Sequence, residues 1–168
     1  DPAVILFDES VSGLDVSVQA AVLNLLERLR VERGSSYLFI SHDLSVVAHL
    51  ADDVAVLYLG EVMEAGPAEA VLTPPYHPYT EALLAAVPRV DPDHAPDRPP
   101  LEGDVPSPQD APAGCPFATR CPRVLGDVCH DERPPVHLSE DGLHAIRCHI
   151  PPNELSALQT PLVEEAAS

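Results

Sequence analysis

Near its start the chain reads Val4-Ile5-Leu6-Phe7-Asp8-Glu9, an apolar run that ends in two adjacent carboxylates. A second apolar run, Tyr37–Ile40, leads directly into Ser41-His42-Asp43. Short continuous apolar runs are typical of strands that are covered on both faces, as in a parallel sheet. Because parallel strands end at the same edge of a sheet, we expect Asp8, Glu9 and His42 to lie close together there.

The segments around these runs predict a strand–helix alternation. Apolar residues from Val18 recur at helical spacing, with Asp15 placed to cap the helix and Gly34 placed to end it. Either Ser41 or Asp43 caps a short second helix that runs to about Leu50. Further elements are a hairpin and two proline-initiated helices, over 54–58, 61–65, 67–72 and 78–86. The fold class predicted is therefore α/β, with parallel strands and helices followed by a β-hairpin.

Composition excludes several classes of function. The 168 residues contain nine arginines and no lysine, and the formal net charge is −18. Binding to a phosphate backbone needs basic side chains, so a nucleic-acid partner is not expected. No apolar run approaches the roughly 18 residues that a membrane-spanning helix needs.

The chain divides into four predicted segments. Residues 1–87 carry the α/β pattern, and residues 88–113 form a proline-rich linker or arm in which that pattern stops. Residues 114–150 contain all four cysteines, and residues 151–168 form an acidic tail that we expect to be disordered.

The carboxylate pair and the histidine have the chemistry of a nucleoside-triphosphatase half-site. Hydrolysis needs a metal on the phosphate oxygens, a group that activates water and donors for the developing charge. Asp8 is suited to Mg²⁺, Glu9 to polarising water and His42 to the γ-phosphate. Taken singly, each of these motifs is more often a solvated loop or a turn. Their joint order along the chain favours the half-site.

These residues resemble the C-terminal half of an ABC transporter ATPase subunit. Residues 4–9 resemble the Walker B strand with its catalytic glutamate, and Ser12-Gly13-Leu14-Asp15 resembles the D-loop. His42 resembles the switch histidine. The family usually has proline where this chain has Ser10 and alanine where it has Gly13. A serine in place of the stiffer proline is expected to loosen the turn that aims Glu9.

Later segments resemble the branch that imports dipeptides and oligopeptides. The similarity is carried by Gly66–Leu72, His77–Thr80 and Leu101–Pro108. It implies ATP and Mg²⁺ as ligands, a second ATPase subunit (identical or different), transmembrane permease subunits and, indirectly, a peptide-binding protein. It also implies a peripheral location on the cytoplasmic face of the plasma membrane. No GxxxxGK[ST] loop and no signature loop occur, so we expect the 168 residues alone to be inactive. The alternative is a non-catalytic, metal-binding regulatory or interaction module.

The cysteines Cys115, Cys121, Cys129 and Cys148 follow the spacing C-x5-C-x7-C-x18-C. Disulfides do not suit the reducing cytosol of an ATPase. Structural zinc prefers closer C-x2–4-C pairs, whereas a [4Fe–4S] cluster uses four thiolates at wider spacing. Small buried hydrophobic side chains, and a mixed Cys/His zinc site, remain as alternatives. Resemblance to the peptide-importer branch implies an iron–sulfur cluster in this segment.

Overall fold

The structure is a computed structural model, and it describes residues 2–11, 13–87, 101, 103–107 and 112–162. The chain forms two compact units, residues 1–51 and residues 52–168. The first unit has parallel strands with helices, and the second contains an antiparallel sheet. The α/β class predicted from the sequence is confirmed.

The first unit is a strand–helix–strand–helix unit. It consists of β1 (Val4–Asp8), α1 (Val16–Arg33), β2 (Ser36–Ile40) and α2 (Leu44–Leu50). Strands β1 and β2 pair in parallel and in register, so that Asp8 lies opposite Ile40. The helix between two adjacent parallel strands is the crossover that such pairing requires.

The ends of the helices in this unit follow the capping residues. The Asp15 carboxylate accepts a 2.9 Å hydrogen bond from the Val18 N–H, and Gly34 ends α1 in the left-handed conformation with φ 65°. Of the two candidate caps for α2, Asp43 is the one whose side chain accepts from the Ser45 N–H. Capping by Asp15 and Gly34 is confirmed.

One face of the parallel sheet is packed and the other is bare. Phe7 stacks on Phe39 with ring centroids 4.4 Å apart on the packed face. Buried Leu23 and Val46 join α1 to α2 in a small core. Leu25, which the helical spacing placed on the apolar face, is 46% exposed. The opposite sheet face carries four exposed apolar side chains: Val4, Leu6, Leu38 and Ile40.

The second unit is built on a four-stranded antiparallel sheet. Its strands are β3 (Asp53–Tyr58), β4 (Glu61–Pro67), β5 (Val136–Leu138) and β6 (Ala145–Arg147), in the order β3-β4-β6-β5. The predicted hairpin is therefore present as β3–β4. The helices are α3 (Ala68–Val71), α4 (Pro78–Ala85), α5 (Asp127–Asp131) and α6 (Pro152–Leu158). A 3₁₀ turn, Ala118–Arg120, lies among the cysteines.

Two of the predicted segments contain structure that the sequence did not reveal. The four-cysteine segment, 114–150, shares a sheet with the hairpin, because β6 pairs with β4 through Glu64 and Ile146. Residues from 151 were expected to be a disordered tail, but 152–158 form α6, and Leu155 is fully buried. The physical reason is that the tail carries an apolar anchor, Leu155, which packs with Ile146 and Ile150. Most of the predicted linker, and residues 163–168, lie outside the described residues.

Candidate functional site

The candidate site lies at the carboxyl edge of the two parallel strands. Asp8 ends β1 opposite Ile40, and the Glu9 N–H donates to the Ile40 carbonyl at 3.0 Å, which extends the pairing by one residue. Glu9 has φ 47°, in the left-handed region that residues other than glycine rarely adopt. Such conformations cost about 1–3 kcal/mol and cluster at functional sites. Here it occurs at the first residue after β1, where the chain leaves the strand.

Glu9 and His42 meet across this edge. The His42 Nδ1 lies 3.3 Å from the Glu9 Oε1, and the side chains are 72% and 56% exposed. The contact joins residues that are 33 positions apart and depends on the parallel pairing of β1 with β2. The proximity that the sequence predicted is thus present. The catalytic roles of Glu9, His42 and Asp8 stay predictions.

Two of the predicted D-loop residues, Asp15 and Gly13, also have structural roles. Besides capping α1, the Asp15 carboxylate accepts from the Ser17 hydroxyl at 2.6 Å, and these hydrogen bonds lower its pKa. Gly13 has φ 85°, where an alanine would be strained, although its Cβ would meet no other atom within 4 Å. Ser12 lies outside the described residues. Ser10 donates from its hydroxyl to the Asp8 carbonyl at 3.4 Å, a contact that a proline cannot make.

A contact that the sequence did not reveal joins α1 to Asp43, the residue that follows His42. The Gln19 side-chain amide on α1 donates to the Asp43 Oδ2 at 3.2 Å, while the other oxygen of Asp43 caps α2. The Asp43 N–H also donates to the Ser41 hydroxyl at 3.0 Å. Gln19 and Asp43 are 24 residues apart, and no local pattern in the sequence marks such a pair.

The four cysteines are all free thiols, and three of them are buried. The Cys115 N–H donates to the Cys129 carbonyl at 2.8 Å. The pKa of Cys121 is raised to about 12, first by burial and also by the neighbouring Cys148, Cys115 and Cys129 thiols. Burial likewise raises the pKa of Cys148 to about 11, with contributions from Cys115 and Cys129.

No metal centre is formed by the described residues as they stand, since no three of their His, Cys, Asp or Glu side chains are arranged to hold an ion. Four thiolates on one ion would place sulfurs about 3.8 Å apart, as tetrahedral geometry with Zn–S bonds of about 2.3 Å requires. The donor set suits a thiolate-bound centre chemically, but the positions do not make a site for a single ion.

A buried polar network in the second unit was also missed from the sequence. The Glu64 carboxylate, which is 1% exposed, accepts from the His77 N–H at 2.9 Å and lies 2.8 Å from the His144 Nε2. The His77 Nδ1 accepts from the Tyr79 N–H and so caps α4. Burial lowers the pKa of His77 to about 3, so this imidazole is neutral. These residues hold the hairpin, α4 and β6 together.

Comparison with known proteins gives a consistent class. Residues 63–129 match the family model described as "Oligopeptide/dipeptide transporter, C-terminal region". The chain is 52% identical over 149 residues to a probable peptide ABC transporter ATP-binding protein of Sinorhizobium fredii, covering 89% of this chain and 42% of the relative. It is 54% identical over 126 residues to the dipeptide transport ATP-binding protein DppF of Escherichia coli, covering 75% of this chain and 38% of the relative. A putative oligopeptide transport ATP-binding protein of Bacillus subtilis is 45% identical over 152 residues, with 89% of this chain and 46% of the relative covered.

The fold and these similarities define the C-terminal part of an ATP-binding subunit of the ABC class. Within that class, the chain belongs to the family of dipeptide and oligopeptide transporter ATP-binding proteins. It spans less than half the length of these three relatives. None of their names supports the alternative of a non-catalytic regulatory module. Among the described residues, no helix combines the length and apolar character needed to cross a bilayer.

Proposed function

We propose that this chain supplies the metal carboxylate, the general base and the switch histidine of an ATPase subunit that energises import of di- or oligopeptides. The observation that carries the proposal is the 3.3 Å contact between Glu9 and His42 at the carboxyl edge of parallel strands. Ligands of open α/β sheets bind just outside this edge. The similarity to peptide-transport ATP-binding proteins supplies the class of substrate.

Each residue has a role that its position supports. Asp8, exposed at the end of β1, holds Mg²⁺ directly or through water, as this ion keeps several waters and takes few carboxylates. Glu9 polarises the attacking water. His42 turns Nδ1 to Glu9, so Nε2 is the nitrogen that we assign to the γ-phosphate. An imidazole that is protonated on both nitrogens can donate to Glu9 and to a phosphate oxygen at the same time.

The phosphate-binding contacts come from outside these residues. The chain has no GxxxxGK[ST] loop and no lysine, and the loop backbone and lysine normally cradle the β- and γ-phosphates. In the proposed assembly a second ATPase subunit, identical or different, completes the ATP site across an interface that includes Asp15. Permease subunits carry the peptide, a binding protein delivers it, and the ATPase subunits lie on the cytoplasmic face of the membrane.

The test is to restore the missing half. Residues 1–168 are joined to the part of E. coli DppF that precedes its matching segment, and this joined subunit replaces DppF in E. coli cells. Dipeptide uptake by these cells is expected, together with Mg²⁺-dependent ATP hydrolysis by the purified transporter. The isolated 168-residue chain is expected to show no hydrolysis above background.

Two results would contradict the proposal. Metal-dependent turnover by the isolated chain would show that it needs no phosphate loop, and a Glu9→Gln variant would locate that activity. Stable assembly of the joined subunit with the DppF partners, without any ATP hydrolysis, would show that the chain does not supply the catalytic groups.

We also propose that Cys115, Cys121, Cys129 and Cys148 bind a [4Fe–4S] cluster, with zinc as the alternative. The proposal rests on the donor set, because the four free thiols can supply the four thiolates that such a cluster uses. When bound, the cluster would add folding energy to a segment with few aliphatic side chains.

Anaerobic purification tests the cluster. Absorbance near 400 nm with iron and acid-labile sulfide is expected, and a Cys121→Ala variant is expected to lose both. Zinc by elemental analysis, or a colourless protein without any metal, would overturn the assignment.

A further inference from the structure

The turn that presents His42 to Glu9 is restrained by a hydrogen bond from Gln19 on α1. His42 lies between Ser41 and Asp43, and both of these neighbours are hydrogen-bonded to each other, since the Asp43 N–H donates to the Ser41 hydroxyl. A residue that bonds to the Asp43 side chain therefore restrains the turn that carries His42. His42 itself is 72% exposed, so packing does not fix its position.

Gln19 is hydrogen-bonded to the Asp43 side chain. Its amide donates to the Asp43 Oδ2 at 3.2 Å in a part-buried contact. The other carboxylate oxygen of Asp43 accepts from the Ser45 N–H and caps α2. The pKa of Asp43 is lowered, first by the Ser45 hydroxyl and also by the Gln19 amide, so both donors stabilise the ionised carboxylate.

Gln19 also lies on the helix that Asp15 begins. The Gln19 N–H donates to the Asp15 carbonyl at 2.8 Å, in the first turn of α1. A continuous chain of hydrogen bonds thus runs from the Asp15 turn through Gln19 to Asp43 and the His42 turn. Every member lies within residues 1–51.

We propose that Gln19 is a positioning residue for His42: through Asp43 it ties the turn that carries the histidine to the helix that follows the Asp15 loop. The consequence for hydrolysis rests on the proposed ATPase function, whereas the effect on the orientation of His42 does not. A small displacement of a catalytic group is costly, since a misplacement of about 1 Å can slow a reaction about 100-fold.

The first measurement uses the 168-residue chain and needs no activity. Nuclear Overhauser contacts between the His42 ring and the Glu9 side chain are compared in wild type, Gln19→Ala and Gln19→Glu. Both variants are expected to lose these contacts, because alanine removes the donor and glutamate places a second carboxylate beside Asp43. Asp43→Asn keeps an acceptor for Gln19 and is expected to retain them. Asn24→Ala, an exposed amide on the same helix, is the matched control and is expected to match wild type.

The second measurement uses the purified transporter built with the joined subunit. Gln19→Ala is expected to lower kcat about tenfold with KM for ATP unchanged, while Asn24→Ala stays within twofold of wild type. Gln19→Glu repeats the test with a side chain of the same size if the alanine variant does not fold.

The outcomes separate the two proposals. Unchanged His42–Glu9 contacts in both Gln19 variants would overturn the positioning role, whatever the activity. Unchanged kcat in the Gln19 variants, in a transporter that Glu9→Gln inactivates, would overturn its relevance to hydrolysis and leave the ATPase function standing. A transporter that Glu9→Gln does not inactivate would refute the proposed function, and the contacts in the isolated chain would still decide the role of Gln19.

Discussion

At the scale of the residue, the two kinds of ion pair in the second unit should differ sharply in their effect on stability. Glu81 is 2% exposed and accepts hydrogen bonds from the Arg123 guanidinium at 2.8 and 3.0 Å. Arg123→Ala would remove the cation that donates both of these hydrogen bonds to a buried carboxylate, at a cost of about 3–5 kcal/mol in the free energy of unfolding. Chemical denaturation of the purified chain measures this.

Arg133 supplies the matched control. It pairs with Glu61 at 2.6 Å, but the side chains are 53% and 31% exposed, and Arg147 also bonds Glu61. Exposed pairs contribute about 0–1 kcal/mol, so Arg133→Ala should have little effect. Equal losses from the two substitutions would show that burial does not govern the pair at Glu81.

His77 should make the stability of the chain depend on pH. Its pKa is lowered by burial from 6.5 to about 3, so the unfolded chain binds a proton at pH values where the folded chain does not. The free energy of unfolding should therefore fall as the pH falls below 6.5, and continue to fall to about 3. His77→Asn keeps an acceptor for the cap of α4 but does not titrate.

Denaturation at several pH values between 7 and 4 tests this. The wild-type free energy of unfolding should fall more steeply than that of His77→Asn, by an amount on the order of a few kcal/mol. Parallel slopes for the two proteins would show that His77 does not carry the pH dependence.

At the scale of the element, α6 is predicted to anchor the C-terminal residues. Leu155 is fully buried, and Leu158 on the same helix is 54% exposed. Leu155→Ala should lower the free energy of unfolding by about 2–5 kcal/mol, and Leu158→Ala by no more than about 0.5 kcal/mol. Thermal or chemical denaturation of the two variants gives the comparison. Similar small losses for both would mean that α6 is not packed as the structure shows.

Elements marked by local signals could be predicted from the sequence. Strands β1 and β2 follow from their continuous apolar runs, and α1 follows from Asp15 and Gly34 at its ends. Local signals also placed Glu9 and His42 at one edge, because a strand–helix–strand order implies parallel neighbours. What the sequence could not show depends on distant partners.

Helix α6 is the clearest example of such a dependence. Gln159, just after it, exchanges hydrogen bonds with the Tyr76 backbone, 83 residues away, and donates to Glu81. A short acidic segment gives no hint of that partner. The pairing of β4 with β6 and the contact of Gln19 with Asp43 were missed for the same reason.

At the scale of the whole molecule, the bare face of the parallel sheet indicates that the first unit lacks a layer packed on that side. Parallel sheets are normally covered on both faces, yet Leu6 and Leu38 are 59% and 57% exposed. The double substitution Leu6→Gln and Leu38→Gln should change the stability of the isolated chain little, by about 0.5 kcal/mol or less per site. In the joined subunit it should abolish dipeptide uptake, because the same side chains would then be buried against the added half.

Uptake assays and denaturation together decide that point. Strong destabilisation of the isolated chain would show that this face is already packed. Full uptake by the doubly substituted joined subunit would show that nothing packs against it in the complete protein.

The proposed function makes Glu9 the general base of an ATPase whose other half lies outside these residues. It is tested most directly by ATP hydrolysis in the purified transporter with Glu9→Gln in the joined subunit. We expect kcat to fall at least about 100-fold while Mg²⁺–ATP still binds, because the amide keeps the shape of the side chain and loses its basicity. Hydrolysis at the wild-type rate would contradict it.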